Sequence, residues 1–140
     1  MRVFVALGTI RPYRFDRAIR TALDVLQPDD EVVWQTGSTP APAHVGTSQS
    51  SMSTADLRKT MRWADVVICH SGVGTILDCL AEGQWPIVMP RRRDLGEHVD
   101  DHQAQFAREI AERGLGLVVG GDGLRREDLL LATEKMVVPS

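Results

Sequence analysis

In the run His70-Ser71-Gly72-Val73-Gly74-Thr75-Ile76-Leu77-Asp78, an imidazole, two hydroxyls, two glycines and a carboxylate fall close together. Glycines at a strand-to-helix junction bare backbone N–H groups, and the positive end of a helix dipole adds to them, which suits a phosphate or diphosphate. Ser71 and Thr75 could donate to the same anion, and Asp78, one turn beyond Gly74, could accept both hydroxyls of a ribose. Each residue also has a plainer use. Gly72 and Gly74 can make a tight turn without a ligand, His70 can bond backbone at a strand end instead of acting as a base, and Asp78 can be a solvated helix residue.

Other chemistries fit poorly. A dinucleotide fingerprint needs a third glycine where Leu77 stands, and no Gly-Lys-Ser/Thr run exists for a Walker loop. Cys69 and His70 are neighbours on a strand and point to opposite faces, so they do not make a thiol dyad. His98 and His102 are four apart, but the zinc protease pattern is absent and no cysteine lies near, so no metal is assigned. Arg91-Arg92-Arg93 is either solvated and structurally paired or a contact for a phosphate, an anionic membrane or an acidic partner. Trp34, Trp63 and Trp85 read as core or partner-facing residues rather than sugar platforms.

The surrounding pattern supplies the frame. Val66 to Cys69 is a β-branched run typical of a buried parallel strand that stops at His70, and Thr75 to Glu82 reads as a helix closed by Gly83. Strands are expected at Arg2 to Leu7, Glu31 to Gln35, Pro86 to Met89 and Leu117 to Val119. A short edge strand is expected near His44 to Thr47. Helices are expected at Asp16 to Leu26, after an N-cap at Ser53, at Asp101 to Glu112 and at Glu127 to Met136, with a turn at Gly120 to Gly123. Strands alternating with helices in 140 residues imply one α/β domain, a Rossmann-like doubly wound parallel sheet. With the edge strand the order becomes 3-2-1-4-5-6. The ligand crevice then opens between Gly8-Thr9 and His70 to Thr75.

Bulk properties exclude several classes. A net charge of −3 gives no overall pull toward nucleic acid. No apolar run approaches the ~20 residues of a spanning helix. Both cysteines fall in predicted buried elements, as expected of reduced cytoplasmic thiols.

The segment WADVVICHSGVGTILDCLAEG, followed by PIVMPRRRDLGEHVDDHQAQFAREIAERG, closely resembles the glycosyltransferase family 28 C-terminal domain. That domain is the donor-binding half of GT-B enzymes that attach N-acetylglucosamine and similar sugars to lipid carriers. Gly8-Thr9, Phe15-Asp16-Arg17 and EVVWQTG extend the similarity to stand-alone subunits of bacterial exopolysaccharide and eukaryotic lipid-linked oligosaccharide transferases. The resemblance implies a single donor-binding domain over residues 1–140, the C-terminal half of a GT-B fold. It implies pyrophosphate contacts at Ser71, Gly72, Gly74 and Thr75, with Gly8, Thr9 and His70 beside them. Asp78 then holds the ribose, Asp101, His102 and Gln103 face the transferred sugar, and Glu97 and His98 belong to the same loop. It further implies a UDP-sugar substrate with no cofactor, and a membrane-associated N-terminal-half subunit bringing the lipid-linked acceptor. That partner would supply the general base, with His70 the one candidate on this chain, and recruit it from the cytoplasm to the membrane's cytoplasmic face. An isolated half-fold could also self-associate as a homodimer. A non-catalytic nucleotide-sugar binding module is the alternative.

Overall fold

A computed structural model of the chain describes residues 1–120 and 123–136. Six parallel strands, β1 (Arg2–Ala6), β2 (Glu31–Gln35), β3 (Thr47–Gln49), β4 (Val66–His70), β5 (Ile87–Met89) and β6 (Leu117–Val118), form one sheet in the order β3-β2-β1-β4-β5-β6. Five helices connect or follow them: α1 (Asp16–Leu23), α2 (Thr54–Trp63), α3 (Val73–Ala81), α4 (His102–Glu112) and α5 (Arg126–Lys135).

Strand alternation divides the core. Val3, Val5, Leu7, Val66, Ile68, Ile87 and Met89 face one side and meet Ala18, Ile19 and Ala22 of α1 and Leu129 and Ala132 of α5. Phe4, Ala6, Val67, Cys69 and Val88 face the other and meet Met61, Ile76, Cys79, Ala107 and Ile110 of α2, α3 and α4. Both faces of β1 and β4 are therefore covered, the condition under which a parallel sheet reads as continuous apolar runs. Cys69 and Cys79 are buried free thiols, and the contact between them, with burial, pushes the Cys79 pKa up.

Helix ends follow the expected punctuation. Ser53 accepts the Asp56 N–H at 3.1 Å as the N-cap of α2. Gly83 and Gly114, at φ +77° and +65°, end α3 and α4 with the paired 6→1 and 5→2 bonds of a left-handed cap. Three boundaries differ from expectation by more than one residue. Helix α3 begins at Val73, so Gly74 belongs to its first turn rather than to the preceding loop. The edge strand lies at Thr47–Gln49, just beyond His44, whose φ of +65° turns the chain. Helix α1 ends at Leu23, short of Leu26. Of the turn expected at Gly120 to Gly123, Gly121 and Asp122 lie outside the described residues.

At the far end of the sheet, Arg126 reaches Asp30 with contacts of 2.5 and 3.0 Å, and the carboxylate is only 1% exposed. The guanidinium holds the Asp30 pKa down from 3.8 to about 2. Folding stability from this pair is complete above the unfolded value and is lost as pH falls from about 4 toward 2. The shift corresponds to about 2 kcal/mol. Urea unfolding of Asp30→Asn at pH 5 and 2.5 should show that share of the acid loss removed; an unchanged acid loss would contradict the pairing.

Candidate functional site

β1 and β4 are adjacent, yet the chain leaves β1 toward β2 and leaves β4 toward β5. The segments following the two strands consequently diverge and open a crevice at their carboxyl ends. Gly8 lines one side at φ +77°, its N–H and carbonyl both held at 2.9 Å by the Gln35 side chain. His70 ends β4 on the other side and is 8% exposed. The two sides touch. A Cβ placed on Gly8 would lie 2.6 Å from His70 Cε1, and one on Gly72 would lie 2.3 Å from the same atom. Glycine at both positions is what lets the backbone close on the imidazole.

The ring is bonded at both nitrogens, Nδ1 lying 3.0 Å from Gln103 Nε2 and Nε2 lying 3.1 Å from Thr75 Oγ1. Gln103 Oε1 in turn accepts the backbone N–H groups of Ser71 at 3.2 Å and Arg91 at 2.9 Å. Burial, then the nearby Arg91 and His98, lowers the His70 pKa from 6.5 to about 3. The imidazole is neutral at physiological pH.

Arg91 itself is fully buried. Its guanidinium donates to the carbonyls of Leu7 at 2.6 Å, Glu97 at 2.9 Å and Tyr13 at 3.3 Å and lies 4.9 Å from the Phe15 ring centroid. Burial lowers its pKa to about 10, with Glu97 opposing, so it stays charged beneath the crevice. The Glu97 carboxylate is spent elsewhere, on Arg17 at 2.8 and 3.1 Å and on the Arg92 N–H at 3.0 Å.

No side chain among the described residues caps the start of α3, so the N–H groups of its first turn remain available. Among the described residues, a Cβ added at Gly74 would meet nothing within 4 Å, and the buried Ser71 hydroxyl has no partner. Positive helix dipole, bare amides and a buried cation therefore converge on one open spot.

The structure brings Gly8, His70, Ser71, Gly72, Gly74 and Thr75 to this spot, with Thr9 exposed beside Gly8. Asp78 is half-buried one turn along α3, and no hydrogen bond or ion pair engages its carboxylate among the described residues. Asp101 and His102 are exposed at the start of α4, and His98 stacks on Tyr13 with centroids 6.4 Å apart. Three expectations change. Gln103, expected to face the sugar, points inward with both amide atoms engaged; Glu97, expected in the donor-binding loop, is buried against Arg17; and His70 loses its candidacy as a base, since Nδ1 faces an N–H donor.

Sequence reading missed two contributors and left a third open between pairing and a phosphate contact. Gln35 is a buried polar residue closing β2 directly after Val32, Val33 and Trp34, a detectable anomaly. Arg91 was indistinguishable from its neighbours by composition. Asp100 accepts the His102 N–H at 3.0 Å ahead of α4, and that bond lowers its pKa, a cap signal hidden in an acidic run.

A parallel sheet in this order, with a glycine turn at its switch point, defines an α/β domain of the GT-B type. Structures of similar fold include the glycosyltransferase SnogD from Streptomyces nogalater and the spinosyn rhamnosyltransferase SpnG complexed with thymidine diphosphate. For SnogD the TM-score is 0.63 at 20% identity over 95% of this chain and 35% of that one. For SpnG it is 0.57 at 21% identity over 96% and 35%. The family model for the glycosyltransferase family 28 C-terminal domain matches residues 2–129, and the chain belongs to that family.

Among its relatives is the UDP-N-acetylglucosamine–N-acetylmuramyl-(pentapeptide) pyrophosphoryl-undecaprenol N-acetylglucosamine transferase of Xanthomonas oryzae pv. oryzae (strain MAFF 311018). It is 31% identical over 88% of this chain and 28% of that protein. The protein of the same name from Burkholderia mallei (strain SAVP1) is 27% identical over 85% and 35%. The chain thus spans about a third of the curated relatives it matches.

Proposed function

We propose that this chain is the donor-binding half of a hexosyltransferase, that its donor is UDP-N-acetylglucosamine, and that a second polypeptide completes the cleft and brings a lipid-linked acceptor. The observation that carries the reading is Gly74. A glycine inside a helix costs roughly 1 kcal/mol relative to alanine, and no atom of the described residues approaches closely enough to require one there. A diphosphate seated on the first-turn amides explains the open space. The names of the relatives support both the donor and an acceptor on a pyrophosphoryl lipid.

In this reading, charge that builds on the leaving UDP is met by preorganised amides, the helix dipole and Arg91, which stabilise the transition state more than the ground state. The reading calls for no metal or other cofactor. The general base belongs to the second polypeptide, because His70 has no free lone pair to offer an acceptor hydroxyl. Val73, Leu77, Leu95 and Val99 are exposed apolar residues at this end of the sheet, as a surface awaiting its other half would be. No helix among the described residues is long and apolar enough to cross a membrane; the reading gives attachment to a cytoplasmic membrane face to the partner.

Asp78→Ala tests the nucleotide assignment. Removing a carboxylate that accepts two ribose hydroxyls should weaken UDP binding about tenfold or more while leaving thermal unfolding unchanged. Titration calorimetry with UDP and with UDP-N-acetylglucosamine reads the effect; equal affinity in the folded variant would refute the ribose role. Co-expression with the complementary half and assay on a lipid acceptor tests the transfer itself.

A further inference from the structure

We propose that Gln103 is a positioning residue which, acting through the His70 ring, turns the Thr75 hydroxyl into a hydrogen-bond donor for the anion at the start of α3. The inference rests on the donor-binding reading above and adds to it the device that sets the polarity of the site.

The backbone N–H groups of Ser71 and Arg91 can only donate, and both aim at one side-chain atom of Gln103, at 3.2 and 2.9 Å. That atom must be the oxygen, which leaves the amide nitrogen facing His70 Nδ1 at 3.0 Å. An NH₂ group likewise only donates, so Nδ1 carries the lone pair. A neutral imidazole with a bare Nδ1 holds its proton on Nε2. Nε2 lies 3.1 Å from Thr75 Oγ1, so the ring donates and the hydroxyl accepts.

A hydroxyl that accepts in this way still has its own proton to place. In helices that proton commonly returns to a carbonyl one turn back. Thr60 does so with Asp56 at 2.8 Å and Thr133 with Leu130 at 2.6 Å. Thr75 makes no such bond among the described residues, and it stands in the first turn of α3, where the amides await an anion. Its proton is free for a phosphate oxygen. Gln103 is thus anchored by two backbone donors of fixed polarity, and it passes that polarity through the ring to the edge of the crevice.

Gln103→Glu reverses the relay with little change of shape. The carboxylate still accepts from Ser71 and Arg91 but offers His70 an acceptor. The ring proton moves to Nδ1, Nε2 becomes the acceptor, and the Thr75 proton turns inward. In the full chain at pH 8, ¹⁵N spectra of the imidazole should show the proton on Nε2 in the wild type and on Nδ1 in the variant. UDP affinity should fall about tenfold in Gln103→Glu, about tenfold in Thr75→Val, and no further in the double variant, since both remove the same donor. A wild-type ring protonated at Nδ1 would overturn the proposal, as would losses that multiply in the double variant. A wild type with its proton on Nε2 that fails to bind UDP would instead sink the donor reading and leave the ring assignment standing.

Discussion

Arg91→Ala should lower the unfolding free energy by about 3 kcal/mol, whereas Arg93→Ala, two residues on, should stay within about 0.5 kcal/mol. Three adjacent arginines have the same composition and opposite fates. Arg92 and Arg93 are exposed, and Arg92 pairs with Asp94, a surface ion pair of small value. Arg91 is fully buried and donates to the carbonyls of Leu7, Tyr13 and Glu97, drawing together the end of β1, the segment before α1 and the loop before α4. Truncation leaves the buried Leu7 and Glu97 carbonyls and the part-buried Tyr13 carbonyl unpaired at about 1 kcal/mol each and opens space against Phe15. Relief from desolvating a cation offsets part of this. Its Nε has no partner among the described residues even now, so the relief is real. Urea unfolding at neutral pH, with comparable m-values, makes the comparison. Arg91→Ala matching Arg93→Ala in midpoint would show that the tie contributes nothing.

In the donor-binding reading the same variant should bind UDP more weakly, because it removes the charge beneath the crevice while keeping the backbone N–H that Gln103 accepts. Arg91→Lys should fall between the two extremes in stability, keeping the charge and reaching fewer carbonyls than a planar fork does.

The strand order was legible because period-2 burial and helix spacing repeat through the chain. Val66 to Cys69 could only be a strand buried on both faces, and Gly83 and Gly114 stop their helices where expected. The crevice followed from that order alone. What was not legible was direction within the site. Gln103 stands four residues before Ala107 and seven before Ile110, on the buried stripe of α4, so helical periodicity already pointed it inward. The family motif pointed it toward a sugar, and here the local geometry prevailed. Arg91 carries a similar overlooked signal: it continues the alternation of Ile87 and Met89, which face α1. Nothing in the chain's order announced that Gln35 would clasp Gly8, since that contact spans 27 residues and depends on β1 and β2 lying side by side.

Acidification from pH 6.5 to 5 should cost the fold about 2 kcal/mol through His70 alone. The unfolded ring titrates near 6.5 and the folded ring near 3. Between those values the unfolded chain binds a proton that the native chain refuses, so stability is complete above 6.5 and declines as pH falls toward 3. Three features hold the native ring neutral. It is buried, the Arg91 cation and His98 stand nearby, and Nδ1 faces the Gln103 NH₂ group, which cannot accept a second ring proton. Asp30 titrates lower, so the two contributions separate on the pH axis. In His70→Gln the side chain does not titrate, and the slope of unfolding free energy against pH should flatten between 6.5 and 5 whatever the variant's absolute stability. The slope is therefore the quantity to measure, by urea unfolding at half-unit intervals on both proteins. Parallel curves would mean that the native ring takes up its proton freely, which the Gln103 amide forbids unless it first swings away from Ser71 and Arg91.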